Sequence, residues 1–263
     1  MFHYTDANAL LSIIQNQELW LTDVRYMNDS QEYIYGLSRL LKKIQANDGY
    51  FGLECLIREV THSIPNFEYT KIKGLDDVVN KKNKNSAFSM SFCEDGNLLS
   101  QWRGYTANTV GYAIEFDVDE LIQELDNSSL NSYQLLKCIY DESEHEKAID
   151  KIIESLELNV MFNIADKILY PITRLKHYDF KEEQETRLAI ITNRDINYRV
   201  VNGIFRPFIK LKLNNIETLI KSITIGPHEH SILAKESLEE MLNSHFSEGS
   251  PKVNISQTPY RLL

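Results

Sequence analysis

Two hydrophobic periods divide this chain, and the change between them near residue 87 limits the folds open to it. Up to that point, apolar residues recur at helical spacing. Leu10, Ile13 and Ile14 follow a helix start at Thr5 or Asp6, and Leu37, Leu40, Leu41 and Ile44 follow the polar run 28–32. Leu53, Leu56, Ile57 and Val60 suggest a further short helix, and residues 19–22 a short extended segment. From residue 87 the period falls to two. Phe88, Met90 and Phe92 point one way, and Ser89, Ser91 and Cys93 the other. Val110, Tyr112, Ile114 and Phe116 repeat the alternation against Gly111, Ala113 and Glu115. Residues 133–140, 187–192, 208–213 and 219–225 read as further strands, and 253–256 as an edge strand. Asn202-Gly203 between Val200-Val201 and Ile204-Phe205 predicts a hairpin turn. Ile149, Ile152, Ile153, Leu156, Val160, Ile164 and Ile168 predict one long helix over 144–169, and Leu233, Leu238, Met241 and Leu242 a later one. Strands that are not separated by regular crossover helices favour an α+β fold over a doubly wound sheet.

With 10 Gly and 6 Pro in 263 residues, no Gly/Ser- or Pro-rich linker divides the chain. A single domain over 1–263 with a helical insertion around 144–170 is the simplest reading. The net charge of −10 argues against broad, non-specific nucleic-acid binding, which needs basic residues to neutralise phosphates, but leaves room for a local basic groove. Residues 71–84 are basic and polar and read as a solvated loop. Cys55, Cys93 and Cys138 show no paired spacing, which speaks against a disulfide framework or zinc ribbon and fits a reducing compartment. No basic leader precedes an apolar core, and no apolar run approaches a membrane span, so a cytoplasmic protein without membrane partners is expected.

Dinucleotide glycine loops, Walker loops and zinc-protease or serine-hydrolase motifs are missing. His228-Glu229-His230 lacks helical metal spacing and reads as a polar loop or cap, and Cys93 as a buried thiol. Four clusters remain. His3-Tyr4-Thr5 offers imidazole, phenol and hydroxyl to a sugar, or else Thr5 or Asp6 merely caps the helix. Asp29 and Glu32 resemble a capping box, with Asn28 just outside it and freer to face a ligand. Residues 88–105 follow a strand with a turn and then Trp102, Arg103 and Tyr105. An aromatic plane there can stack on a base and Arg103 can grip a phosphate, or Trp102 fills core while Arg103 pairs with an acid. In residues 180–187, extending the strand alternation backwards puts Glu183, Glu185 and Arg187 on one face. Carboxylates so placed can orient a ribose and stabilise positive charge on its carbon, the alternative being a solvated charge run.

Taken together, these clusters resemble a large bacterial family, a domain of unknown function. The matching residues are 3–5 (HYT), 28–32, 91–105 (SFCEDGNLLSQWRGY), 111–117, 180–188 (FKEEQETRL), 225–227 and 256–261. A more distant resemblance is to the ADP-ribosyltransferase fold, a split β-sandwich that binds NAD without a Rossmann domain. His3 with Thr5, then Ser89 or Ser91, then Glu183 or Glu185 follow that superfamily's order of signature residues. The resemblance implies an NAD-using transferase or glycohydrolase, a toxin or anti-phage effector that modifies nucleic acid or protein and has a partner or antitoxin protein. Under it, His3, Tyr4 and Thr5 hold the adenosine ribose, Arg103 contacts the diphosphate, Trp102 or Tyr105 stacks on a ring, and Asn28, Ser89, Ser91 and Arg187 complete the NAD site. Glu185 stabilises the transition state and Glu183 positions the acceptor. A non-catalytic nucleotide sensor is one alternative. A metal-dependent phosphoesterase or nuclease, with Asp29, Glu32 and Asp95 as ligands, is another.

Overall fold

The strand that organises the molecule is β3 (Ser86–Cys93), because two strands and part of a third find their register on it. The structure is a computed structural model, and it describes residues 1–27, 30–46, 85–105, 109–128, 132–158, 164–247 and 249–259. Along one edge of β3 runs β6 (Glu185–Thr192), antiparallel over its whole length from Ser86 opposite Thr192 to Cys93 opposite Glu185. The other edge is shared. β2 (Glu18–Asp23) places Thr22 and Asp23 opposite Ser89 and Phe88, whereas β1 (Phe2–Asp6) meets β3 only at Phe2 opposite Cys93. The chain reaches β2 from β1 through α1 (Ala7–Asn16), whose first turn is capped by Asp6 accepting from the Ala9 amide. β1 and β2 therefore run parallel and fork away from one edge of β3.

From that fork the sheet grows in both directions. β1 pairs with β4 (Gly111–Phe116), which pairs with β9 (Ile220–Ile225), which carries β10 (Lys252–Ile255) as a parallel edge strand. β2 pairs with β8 (Ile204–Lys212), which turns back as β7 (Asn197–Val201). β5 (Gln134–Lys137) pairs with β6. The result is one ten-stranded sheet, antiparallel in every pairing but one. The hairpin turn expected at Asn202-Gly203 is present, with φ of 51° and 76° at the two residues.

Strand alternation sorts the side chains onto two faces. Phe88, Met90, Phe92, Leu188, Ile190, Leu19 and Leu21 enter the larger core. There they meet Leu10, Ile13 and Ile14 of α1, Leu121 and Leu125 of α4 (Val118–Asp126), and Leu238 and Leu242 of α8 (Ser231–His245). On the opposite face, Ala87 lies under α2 (Ser30–Gln45), α5 (Glu142–Leu158) and α6 (Ile164–Thr173). α3 (Leu99–Tyr105) covers the far end of that face through Trp102, while the short α7 (Ile216–Leu219) leads into β9. The single helix expected over 144–169 is two helices here. The second, α6, packs on β3 and β6, where Ile168, Leu169 and Ile172 supply part of the core. The helix expected over 53–60 and the basic stretch 71–84 lie outside the described residues. Among the described residues, no helix is long and apolar enough to cross a membrane.

Candidate active site

The last turn before β6 gathers charge where the sheet would ordinarily bury apolar residues. Tyr178–Glu183 forms a 3-10 turn, and Gln184 takes a left-handed φ of 44° before the strand opens at Glu185. That reversal breaks the backward alternation read from the sequence. Even so, both carboxylates arrive at one cation: Lys176 Nζ lies 2.6 Å from Glu183 Oε2 and 2.6 Å from Glu185 Oε2. Arg187, two residues along the strand, donates from Nε to Glu185 Oε1 (2.8 Å) and from Nη2 to Glu185 Oε2 (3.1 Å), while its Nη1 donates to the Thr173 carbonyl at the end of α6 (2.6 Å). Tyr140 donates no charge but its hydroxyl accepts from the Glu185 amide (2.8 Å).

Burial decides what each group can do. Lys176 and Glu185 are almost wholly enclosed, whereas the Glu183 side chain is 20% exposed. Burial works against a charged Glu185, but Arg187 and Lys176 outweigh it and bring its carboxyl down to about 2. It stays ionised at every physiological pH. Beside it Cys93 is pushed up to about 12, chiefly by burial and further by Glu185 and Glu183, so its thiol is inert as a nucleophile. Glu183, Glu185, Lys176 and Cys93 thus occupy one neighbourhood, with Ser91 next along β3 and opposite Arg187.

The ligand-binding chemistry expected of 88–105 is distributed differently from expectation. Trp102 has no exposed surface. Its ring lies edge-on to Tyr4 with centroids 4.8 Å apart, and its Nε1 donates to Asn97 Oδ1 (2.9 Å). The Tyr4 hydroxyl donates to the Asp95 carbonyl (2.9 Å) and accepts from the Leu98 amide (2.8 Å). Both aromatic residues pin the 94–98 loop and fill core, which leaves neither a ring face for a ligand. Asp95 Oδ1, offered as a metal ligand, accepts from the Asn97 amide (2.8 Å). Arg103 is exposed on α3, which lies against the 178–183 turn and so brings this arginine to the Glu183 side of the molecule. Asn28 and Asp29 lie outside the described residues, as do the side chains of Glu32 and Tyr105.

His3 is the largest departure. His3 and Thr5 lie opposite Ile114 and Tyr112, on the large-core face of the sheet, while Ser89, Ser91, Glu185 and Arg187 lie on the other. His3 Nδ1 donates to the Ser91 carbonyl (2.9 Å), the acceptor left free where β1 and β2 fork. The order of residues along the chain anticipated a shared cleft, but the parity of the register separates them: His3 is a strut of the fork. Ser89, by contrast, is 2% exposed and its Oγ has no hydrogen-bond partner among the described residues. The sequence reading missed Lys176 and Tyr140. A lone lysine following Leu175 at a helix end gave no periodic signal, and its partners come from seven and nine residues further on.

Comparison with known proteins adds one finding. Residues 101–188 match the model of a family described as a protein of unknown function (DUF2971), in keeping with the resemblance to a domain of unknown function. That stretch runs from α3 to the centre of β6 and contains Trp102, Lys176, Glu183, Glu185 and Arg187. No curated protein and no solved structure matches the chain.

Proposed function

We propose that the chain is an ADP-ribosyltransferase-like enzyme that cleaves the N-glycosidic bond of NAD, with the nicotinamide ribose held at Glu183 and with Glu185 fixing that side chain from behind. The observation that carries this reading is the pair of carboxylates on Lys176, one sealed and permanently ionised, the other reaching solvent. Loss of nicotinamide with its bonding electron pair leaves cationic character on the ribose carbon, and a fixed carboxylate in a water-poor setting stabilises that charge. Glu183 is the group placed to touch the ribose. Glu185 acts through Lys176, fixing where Glu183 lies. The acceptor's oxygen or nitrogen then bonds to the ribose carbon as its proton passes to solvent, so the products are nicotinamide, a proton and an ADP-ribosylated nucleic acid or protein, or free ADP-ribose where water is the acceptor. The sheet is one continuous ten-stranded sheet rather than a split β-sandwich, so the superfamily, a toxin or anti-phage role and a partner protein rest on the resemblance of the ordered His, Ser and Glu residues alone.

Incubation with NAD and candidate acceptors tests the reading. Nicotinamide release by the wild type is expected, and Glu183→Gln should lower it about 10²–10³-fold, the usual loss for a charge-stabilising group. Wild-type turnover that Glu183→Gln leaves untouched would sink the assignment. A second reading, a nucleotide sensor without catalysis, draws on the full saturation of Glu185 by Lys176 and Arg187, an arrangement also suited to a structural clamp. It predicts thermal stabilisation by NAD with no nicotinamide released.

A further inference from the structure

We infer that the β2 side of the fork carries a phosphate-binding subsite formed by Arg199, Arg206, Thr22 and Ser89, a site that stands whether or not NAD is cleaved at Glu183.

Three independent features meet there. First, Arg199 and Arg206 lie directly opposite one another across β7 and β8. Like charges in that position repel and destabilise a strand pair unless an anion lies between them. Among the described residues no carboxylate comes within ion-pair distance of either arginine, and the acid whose charge reaches Arg199, Asp6, is already capping α1. Second, Arg199 is prepared rather than free. Its guanidinium carbon lies 5.7 Å from the centre of the Trp20 ring and 5.8 Å from that of Phe208, and its Nη2 donates to Thr22 Oγ1 (2.8 Å). The rings and the threonine fix the plane of the fork, while its buried Nε donor has no partner. Third, Thr22 lies directly opposite Ser89, so the Ser89 Oγ, buried and unpartnered, shares the face and the neighbourhood of that guanidinium. An orphan buried hydroxyl and an orphan buried N–H both cost stability. A tetrahedral oxyanion between the two guanidiniums would neutralise the arginine pair, and since Nε and the serine hydroxyl are both closed to solvent, it would reach them only as the Arg199 side chain shifts to admit it.

The surrounding charge points the same way. From 194 to 212 the hairpin carries Arg194, Arg199, Arg206, Lys210 and Lys212 against Asp195 alone, in a chain whose net charge is −10. Lys210 is tied to Glu18 (2.9 Å), which leaves the arginine pair as the focus of the field. Ser89 and Cys93 are four residues apart on β3, so this subsite and the Glu183–Glu185 cluster lie along one strand about 13 Å apart at 3.3 Å per residue. That places a phosphate site and a sugar site on the same sheet face.

Isothermal titration with inorganic phosphate, pyrophosphate and ADP tests the inference on the full chain. At least one should bind the wild type, with Arg199→Gln weakening it about 10- to 100-fold and Ser89→Ala about 3- to 10-fold. Ser89→Ala should leave the ligand-free melting temperature unchanged or raised, since no hydrogen bond is lost, which keeps the test independent of any folding defect in the arginine variants. Tighter binding of ADP than of pyrophosphate assigns the site to nucleotides, and equal binding assigns it to free phosphate. Either outcome supports the site. Binding of none of the three, or binding that neither Arg199→Gln nor Ser89→Ala weakens, overturns it. Glu183→Gln is expected to leave ADP affinity intact, so failure of the ribosyl reading and failure of this one are separable.

Discussion

Lys176 shows how much of the candidate site rests on single side chains. It is 1% exposed and faces two carboxylates, so neither carboxylate can be removed quietly. Glu185→Gln leaves Lys176 and Arg187 short of a buried counter-charge and should cost about 3–5 kcal/mol of stability, read from chemical denaturation. Glu183→Gln, partly solvated, should cost much less, which makes it the cleaner probe of chemistry. Acid adds a second check on Glu185. Its carboxyl is held at about 2 against an ordinary 4.5, so the native state binds fewer protons than the unfolded state between those values. Its contribution is complete above pH 4.5 and is lost as pH falls towards 2, and Glu185→Gln should flatten the wild-type acid limb in that window. The strand at 187–192, and the placing of Glu185 and Arg187 on one of its faces, were legible from alternation. The convergence on Lys176 was not, because it depends on a left-handed Gln184 and on the end of α6, which no local pattern encodes.

At the level of elements, the fork is held by a side chain where strands usually supply backbone. The Ser91 carbonyl has β6 on one side and no strand partner on the other, and His3 takes that role. His3→Ala should cost about 0.5–1.5 kcal/mol, the usual net worth of one hydrogen bond, since the Ser91 carbonyl is only partly buried. The same histidine sets a pH dependence. Burial lowers its proton affinity, the Ser91 bond raises it and Arg199 lowers it again, with the balance below 6.5. The unfolded chain therefore binds more protons just below pH 6.5. Stability should fall as pH drops through that range, and His3→Gln should remove this part of the slope in pH-dependent thermal melts. Sequence order suggested His3 as a ligand group because β1 itself went unread: with five residues, it was absorbed into the start of α1. Once β1 is placed against β4, the parity of Ile114 and Tyr112 settles which face His3 takes. The hairpin of β7 and β8, by contrast, was announced by Asn202-Gly203, and β10 matches the edge strand expected at 253–256. Arg199 escaped notice because its value lies in its cross-strand neighbour, which appears only when the register is known.

Across the whole molecule, the α+β class was legible because strands and helices cluster separately along the chain. The order of strands was not, since β1 ends up between β4 and β3 and β2 between β3 and β8. That order has a temporal consequence. Tyr4 must wait for Ala113 and Trp20 for Lys210, so α1 is the local support of the two strands of the fork while their outer strand partners lie far along the chain. Closing such long loops before any contact rewards it makes folding slow, so refolding after denaturant dilution should run in milliseconds to seconds or longer, with the β2–β8 pairing late in stopped-flow fluorescence of Trp20. Until β4 and β8 have formed, β1 and β2 lack their outer strand partners, so the folding chain exposes unpaired strand edges for longer than a chain of local hairpins does.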